Sequence, residues 1–407
     1  VKEISDGEVK GLLKAVDRNG TPILLINKTR QELADLRREI FYCPQCNEQV
    51  FIRAGEKVMP HYAHFQQSSC PNRHNGEGDY HSKGKAALYE WFSTQGIPVE
   101  MEYYLSSIQQ RPDLLVKWSN RYFAIEYQCA VISPTMVRER TRGYRKAGIF
   151  PIWILGENRL KRRGTSQIKA THFDSLFIQK FTPDTQPQIL FYNPVTDLMT
   201  SLVSPSPIKS RIYGRIRSWL LSNSGFQHFF LKSQVLNPQV YEYWLNEKKR
   251  FRSLRAKYAG SSDKRFISWL YSKGLHPQYL PSEIHLPVPH HFLMDTPTYI
   301  WQSKILLDII KPLSVGKTFM YNELRSTLQS TQKRCPLASI YLEETAAVEE
   351  YLHLLEGLQI LSRVNEFTFR KEKEVVFPRT LEQAINRDSQ LLNQLVKLEK
   401  QTRLHVK

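Results

Sequence analysis

The tightest constraint in the 407-residue chain is Cys43-Pro-Gln-Cys46, followed after 14 intervening residues by His61-Tyr-Ala-His64. Two thiolates and two imidazoles complete a tetrahedral zinc shell, and two residues between the cysteines let both sulfurs face one ion from a tight turn. The spacing predicts a structural Zn²⁺ held by Cys43, Cys46, His61 and His64, with no open position for a catalytic water. His-x₂-His is shorter than the usual spacing of ~3–5 residues. Cys70 is therefore an alternative to one histidine. The competing reading is a reduced thiol pair with incidental histidines. Three of the five cysteines fall within 28 residues, which is local metal-site usage rather than a secreted disulfide framework. Cys129 and Cys335 have no evident partner and read as structural.

Around this motif the chain alternates short elements. Residues 9–26 read as a hairpin with Asn19-Gly20 at its turn, and residues 28–40 as a helix through Leu33, Leu36 and Ile40. So small a module has little room for a core, and a metal would staple it. Leu88, Trp91 and Phe92 recur at helical spacing over 77–95, and Gly96 stops the run. Strand-like runs follow at Val99–Leu105, Asp113–Val116 and Tyr122–Cys129, then a helix at 135–147 and a buried strand at 150–155. The order is α-β-β-β-α-β. ILFYNPVTDLMTSLV reads as a further hairpin on the same sheet, and SPSPIKS (204–210) as a linker. Helices are expected beyond it at 210–223, 239–258, 262–273, 301–311, 345–358 and 380–402. These patterns divide the chain into 1–70, 71–205 and a basic, mainly α-helical 206–407.

Charge adds a partner. Lys and Arg number 57 against 39 Asp and Glu, and between Lys209 and Lys273 the ratio is 14 to 3. The block KKRFRSLRAK, with Lys248, Lys249 and Arg250, points to a polyanion, most simply nucleic acid; a solvated basic face is the bland alternative. No apolar run approaches the ~18 residues of a membrane span. The first residues contain no signal-peptide core, so a cytoplasmic protein is expected. His290-His291, in a Pro-rich stretch, reads as solvated loop.

One constellation could carry chemistry. Asp113 opens a strand, and Glu126 and Gln128, two apart on the next, project to one sheet face. Two carboxylates there could hold Mg²⁺ against a scissile phosphate. Glu77, His81 and Lys85 form one helical stripe that could add a ligand or a phosphate contact. The competing reading is a half-solvated strand on which Glu126 alternates with apolar neighbours.

Pro112-Asp113 and Glu126-x-Gln128 within an α-β-β-β-α-β order resemble the PD-(D/E)xK nuclease core. With FYCPQC…PHYAHF before it, E-x₃-H-x₃-K at 77–85, R-x₃-Y…PIWIL at 140–155 and a basic helical region after it, the chain resembles the competence protein CoiA family. The likeness is specific over about residues 40–155 and loose beyond 205, where Trp301-Gln302 is a weaker echo. It implies a zinc-ribbon-like module, a nuclease-like domain and a DNA-processing role in natural transformation alongside RecA. By position Asp113 and Glu126 are the carboxylates for Mg²⁺ or Mn²⁺, and Glu77 is the helix acid. Arg140 and Tyr144 line the helix beside the site. Gln128 stands where a lysine is usual and supplies no positive charge, so Lys85 or Lys117 would have to compensate. The resemblance thus implies a DNA nuclease, on single-stranded or branched DNA, or a catalytically silent DNA-binding scaffold. An RNA nuclease and a purely structural zinc protein remain further alternatives.

Overall fold

The computed structural model describes residues 12–55, 58–70, 78–208, 210–230, 239–253, 260–294, 296–328, 337 and 345–404. Glu77 and Cys335 lie outside them. The chain forms two compact units. The first holds residues 1–203, 216–233 and 336–338, and the second holds 204–215, 234–335 and 339–407. Among the described residues no helix is long and apolar enough to cross a membrane.

The first unit opens with β1 (Lys14–Val16), β2 (Pro22–Leu24), α1 (Arg30–Leu36), β3 (Phe41–Tyr42), β4 (Gln49–Arg53) and β5 (His61–His64). The strands form one antiparallel sheet in the order β2-β1-β3-β4-β5, fuller than a ribbon. Thr29 caps α1 and Glu32 reaches back to close a capping box. A small core of Leu12, Leu33, Phe41, Val50, Tyr62 and Cys70 lies beneath the sheet.

Next come α2 (Asp79–Thr94), β6 (Val99–Met101), β7 (Leu114–Trp118), β8 (Arg121–Gln128), α3 (Pro134–Lys146) and β9 (Phe150–Gly156). These are the six elements the sequence pattern indicates. The β7–β8 hairpin turns through Ser119 and Asn120, both left-handed with φ of 46° and 59°, which matches the right-handed twist of its strands. Ser133 accepts the Met136 N–H and Pro134 begins α3, so the helix starts where its orphan donors are met. α2 packs Leu88, Trp91 and Phe92 on one sheet face, against Leu114, Val116, Phe123, Ile125 and Tyr127. Tyr144 of α3 covers Leu115 and Ala124, which project to the other.

The sheet continues through β10 (Lys161–Arg162), β11 (Gln167–Lys169), the short α4 (His172–Ser175), β12 (Gln188–Asn193), β13 (Leu198–Ile208) and β14 (Arg211–Leu220). Nine strands run in the order β10-β11-β14-β13-β12-β9-β8-β7-β6, with β8/β9 and β9/β12 parallel. Two expectations fail here. The Ser-Pro stretch is strand rather than linker: pairing with β12 ends at Val203, so Pro205 and Pro207 sit where β13 has lost that neighbour and a missing N–H costs little. Residues 211–220 are strand rather than helix, their apolar spacing having imitated a helical face.

The second unit carries α5 (Gln239–Arg252), α6 (Ser261–Ser272), α7 (Thr298–Lys304, continuing as a π-helical turn at Ile305–Ile310), β15 (Thr318–Met320), α8 (Tyr321–Leu328), α9 (Ala346–Gly357), β16 (Leu361–Asn365), β17 (Thr368–Lys371) and α10 (Leu381–Leu404). A three-stranded antiparallel sheet, β15-β17-β16, joins the helices, so this region is not purely helical. His291 is buried rather than solvated, with Nδ1 2.9 Å from Val288 O and Nε2 2.7 Å from Pro207 O.

Candidate functional site

The cysteine knuckle forms at the end of β3. The Cys43 N–H donates to Glu48 O at 2.8 Å and the Asn47 N–H to Cys43 O at 2.9 Å, with Asn47 left-handed (φ 58°). This tight turn brings Cys43 and Cys46 together with His64 and Cys70, their ligand atoms all within 4.8 Å of one another. Cys46 Sγ is 3.3 Å from His64 Nε2. Burial, and then Cys43 beside it, push the Cys46 thiol up to about 12, so this sulfur becomes a thiolate only against a cation.

The expected ligand His61 is not in the cluster. His61 and His64 are three apart on a strand, and side chains there alternate with period two, so the imidazoles leave opposite faces. His61 Nδ1 lies 3.0 Å from Met59 O, and Cys70 occupies the fourth place. The set is Cys₃His. Its donors suit tetrahedral zinc, whose bonds of about 2.0–2.3 Å need only a modest contraction of this cluster.

The carboxylate site lies where β7 begins and β8 ends. Continuing the Leu114/Ile125 register sets Asp113 opposite Glu126. Asp113 Oδ2 accepts the Tyr127 N–H at 2.8 Å. From α2, His81 Nε2 lies 3.4 Å from that oxygen and Lys85 Nζ 3.9 Å from Asp113 Oδ1. Glu126 is buried and faces α3. Its Oε1 accepts from Arg140 Nε at 3.1 Å, from Arg140 Nη2 and from the Tyr144 hydroxyl. Arg140 also donates to Arg111 O at 2.8 Å. Burial raises Glu126 to about 6, with Arg140 opposing the rise and Asp113 adding to it.

Arg140 and Tyr144, expected to line the site, thus hold one of its acids. Lys117 is exposed on β7, beside the Tyr122 ring. Lys85, by contrast, is 1% exposed and donates to Glu102 at 2.6 Å. Glu102 is the residue the sequence pattern misses. It follows β6 with φ 49°, is 3% exposed, and accepts the Leu13 N–H at 3.2 Å through its second oxygen. A single acid after a three-residue strand has no periodic signature. Gln128 keeps the same sheet face as Glu126, and its amide donates to Ala130 O at 2.8 Å. Gly84 permits the α2–β8 approach: a Cβ there would meet the Tyr127 ring at 1.9 Å.

The basic block of the second unit separates. Lys248 is 1% exposed and donates to Ser282 O at 2.6 Å and Ile284 O at 2.9 Å, with Asp388 at 3.1 Å. It is a structural lysine and cannot meet DNA as expected. Lys249 and Arg250 are exposed.

A Cys₃His cluster precedes a mixed α/β sheet that carries Asp113 and Glu126, and matches to known sequences identify the central domain as nuclease-like. Residues 25–73, 77–234 and 240–385 match the N-terminal, nuclease-like and C-terminal domains of competence protein CoiA. Competence protein CoiA of Bacillus subtilis (strain 168) is 30% identical over 279 residues, which is 68% of this chain and 74% of that protein. The chain belongs to the competence protein CoiA family. No solved structure matches.

Proposed function

We propose that the chain processes DNA in natural transformation and recombination, and that its central domain is a PD-(D/E)xK-type phosphodiesterase dependent on Mg²⁺ or Mn²⁺. One observation carries this reading: the β7–β8 register, continued one residue past Leu114, sets Asp113 opposite Glu126, with the ammonium of Lys85 3.9 Å from Asp113. Two carboxylates from facing strands suit Mg²⁺, which fills its remaining positions with water and phosphate oxygens. When bound there, the cation would polarise the phosphoryl group and activate a water. Arg140 and Tyr144 fix Glu126. Lys85 supplies, from α2, the positive charge that Gln128 lacks. Gln128 orients the attacking water, and His81 stands beside Asp113 for a phosphate contact. Glu77 as helix acid rests on the family likeness alone.

A structural Zn²⁺ held by Cys43, Cys46, His64 and Cys70 keeps the N-terminal sheet closed. Its support is the donor set.

A scaffold reading has its own support. Glu126 already accepts from Arg140 and Tyr144, and Asp113 from a backbone N–H, so the acids are compensated without metal. A silent, DNA-binding protein that works with recombination partners such as RecA would need nothing more. Cleavage assays separate the two, with Mg²⁺ or Mn²⁺ on single-stranded, duplex and branched DNA and on RNA. Cleavage by wild type and none by Asp113→Ala supports the nuclease. Metal-independent indifference of both supports the scaffold.

A further inference from the structure

One cavity of the second unit lies far along the sequence from the carboxylates. It measures about 380 Å³ and is lined from two directions. Arg211 and Tyr213 come from the start of β14. Tyr243, Asn246, Glu247, Lys249 and Arg250 come from α5. Positions 243, 246, 247 and 250 recur at i, i+3, i+4 and i+7, so one helix face builds a wall. That face is distinct from the one bearing Lys248 and Arg252, which goes inward to Asp388.

The chemistry of this cavity is specific. Three cations surround it against one carboxylate, and that carboxylate, Glu247, is bridged to Arg250 at 2.7 Å. Among the described residues that bridge uses Arg250 Nη1, and Nη2 can donate to an anion. The rings of Tyr213 and Tyr243 lie 4.5 Å apart at 33°. Tyr213 is buried behind, which stiffens the half-buried Tyr243 as an aromatic wall. Cations beside a supported aromatic face form the pairing that holds single-stranded nucleic acid, the cations tracking phosphates and the ring stacking on any base. The volume falls within the range of about 300–1,000 Å³ typical of small-ligand pockets. A duplex, whose bases are already stacked, offers no free base to enter such a cavity.

We propose that this cavity is a single-stranded DNA subsite, taking one base against Tyr243 and the flanking phosphates on Arg211, Lys249 and Arg250. It rests on the DNA reading above but not on cleavage. The subsite would hold the strand without sequence preference and independently of metal at Asp113 and Glu126.

The test uses the full chain in EDTA, with dye-labelled oligo-dT, the matching duplex and oligo-rU, read by fluorescence anisotropy over a salt series. Wild type should bind oligo-dT more tightly than duplex. Lys249→Gln with Arg250→Gln should flatten the log Kd against log salt slope by about 1.4, the share of two phosphates on a single strand. Tyr243→Leu should weaken oligo-dT binding by about 5- to 150-fold, as loss of one stacked base does. Thermal melting of each variant confirms that the effect is local. Wild-type binding that neither variant weakens overturns the subsite, as does preference for duplex or for oligo-rU. Binding to no nucleic acid at all overturns the DNA reading as well. Loss of cleavage alone, with oligo-dT binding intact, counts only against the nuclease.

Discussion

At the N-terminal cluster three sulfurs and one imidazole converge within 4.8 Å. At the carboxylate site each acid already has protein partners: Arg140 and Tyr144 for Glu126, the Tyr127 N–H and Lys85 for Asp113. The first site gathers donors that repel one another once ionised, a set that suits a cation from outside. The second balances its own charge and can stand folded without metal. Metal should therefore govern folding at one site and only chemistry at the other.

The largest expected effect breaks the first half of that contrast. Structural zinc contributes folding free energy of order 10 kcal/mol in small zinc peptides. Cys43→Ser or Cys70→Ser should release the metal and unfold the N-terminal sheet, read by metal analysis and by proteolysis of residues 12–70. His61→Ala should keep a full equivalent of zinc. Retention of zinc by Cys70→Ser and loss by His61→Ala would restore the ligand set expected from spacing.

The Lys85–Glu102 pair sharpens the second half. Removing one partner of a buried ion pair leaves an unpaired charge and costs about 3–5 kcal/mol. Glu102→Gln should thus lower the midpoint of chemical denaturation markedly, zinc remaining bound. A change under about 1 kcal/mol would show that the pair is solvated.

Gly84→Ala tests the approach of α2 to β8. The added methyl must displace the Tyr127 ring, whose hydroxyl donates to Tyr192 O at 3.1 Å. Overpacking of this kind costs about 1–3 kcal/mol. Since the Tyr127 N–H holds Asp113, cleavage should fall with stability.

The smallest effect follows from titration. Glu126 has its folded pKa raised from 4.5 to about 6, so the native state binds the proton more tightly than the unfolded chain does. Stability from this group is present below about pH 4.5 and is lost as pH rises through 6, by about 2 kcal/mol. Glu126→Gln should remove that decline from a series of denaturation curves between pH 4 and 7. An unchanged decline would assign it to another group.

Much of this was legible in the residues. The elements around the carboxylates follow from periodicity and turn chemistry, because Leu88, Trp91 and Phe92 mark α2 and Ser119-Asn120 marks the hairpin. The misreadings have physical causes. Two histidines three apart suit a helix, but the segment is a strand, which turns one away from the cysteines. Lys248 reads as part of a basic run, yet it lies on one helix stripe with Trp244 and Arg252, and that stripe faces Asp388. Glu102 owes its place to a left-handed backbone and to a lysine 17 residues away, and neither is written in local spacing. Residues 204–208 and 211–220 are strand because pairing, a non-local property, overrides their composition.

The most direct measurement is a cleavage time course on single-stranded and branched DNA, with the zinc-loaded chain in Mg²⁺, in Mn²⁺ and in EDTA, beside Asp113→Ala at matched stability. The account predicts cutting by wild type only with metal, and a loss of about 10³-fold in the variant, equivalent to about 4 kcal/mol of transition-state stabilisation. It also predicts equal DNA binding by both proteins. Identical behaviour of the two with either metal, on every DNA form, would contradict it and leave the carboxylates a structural pair.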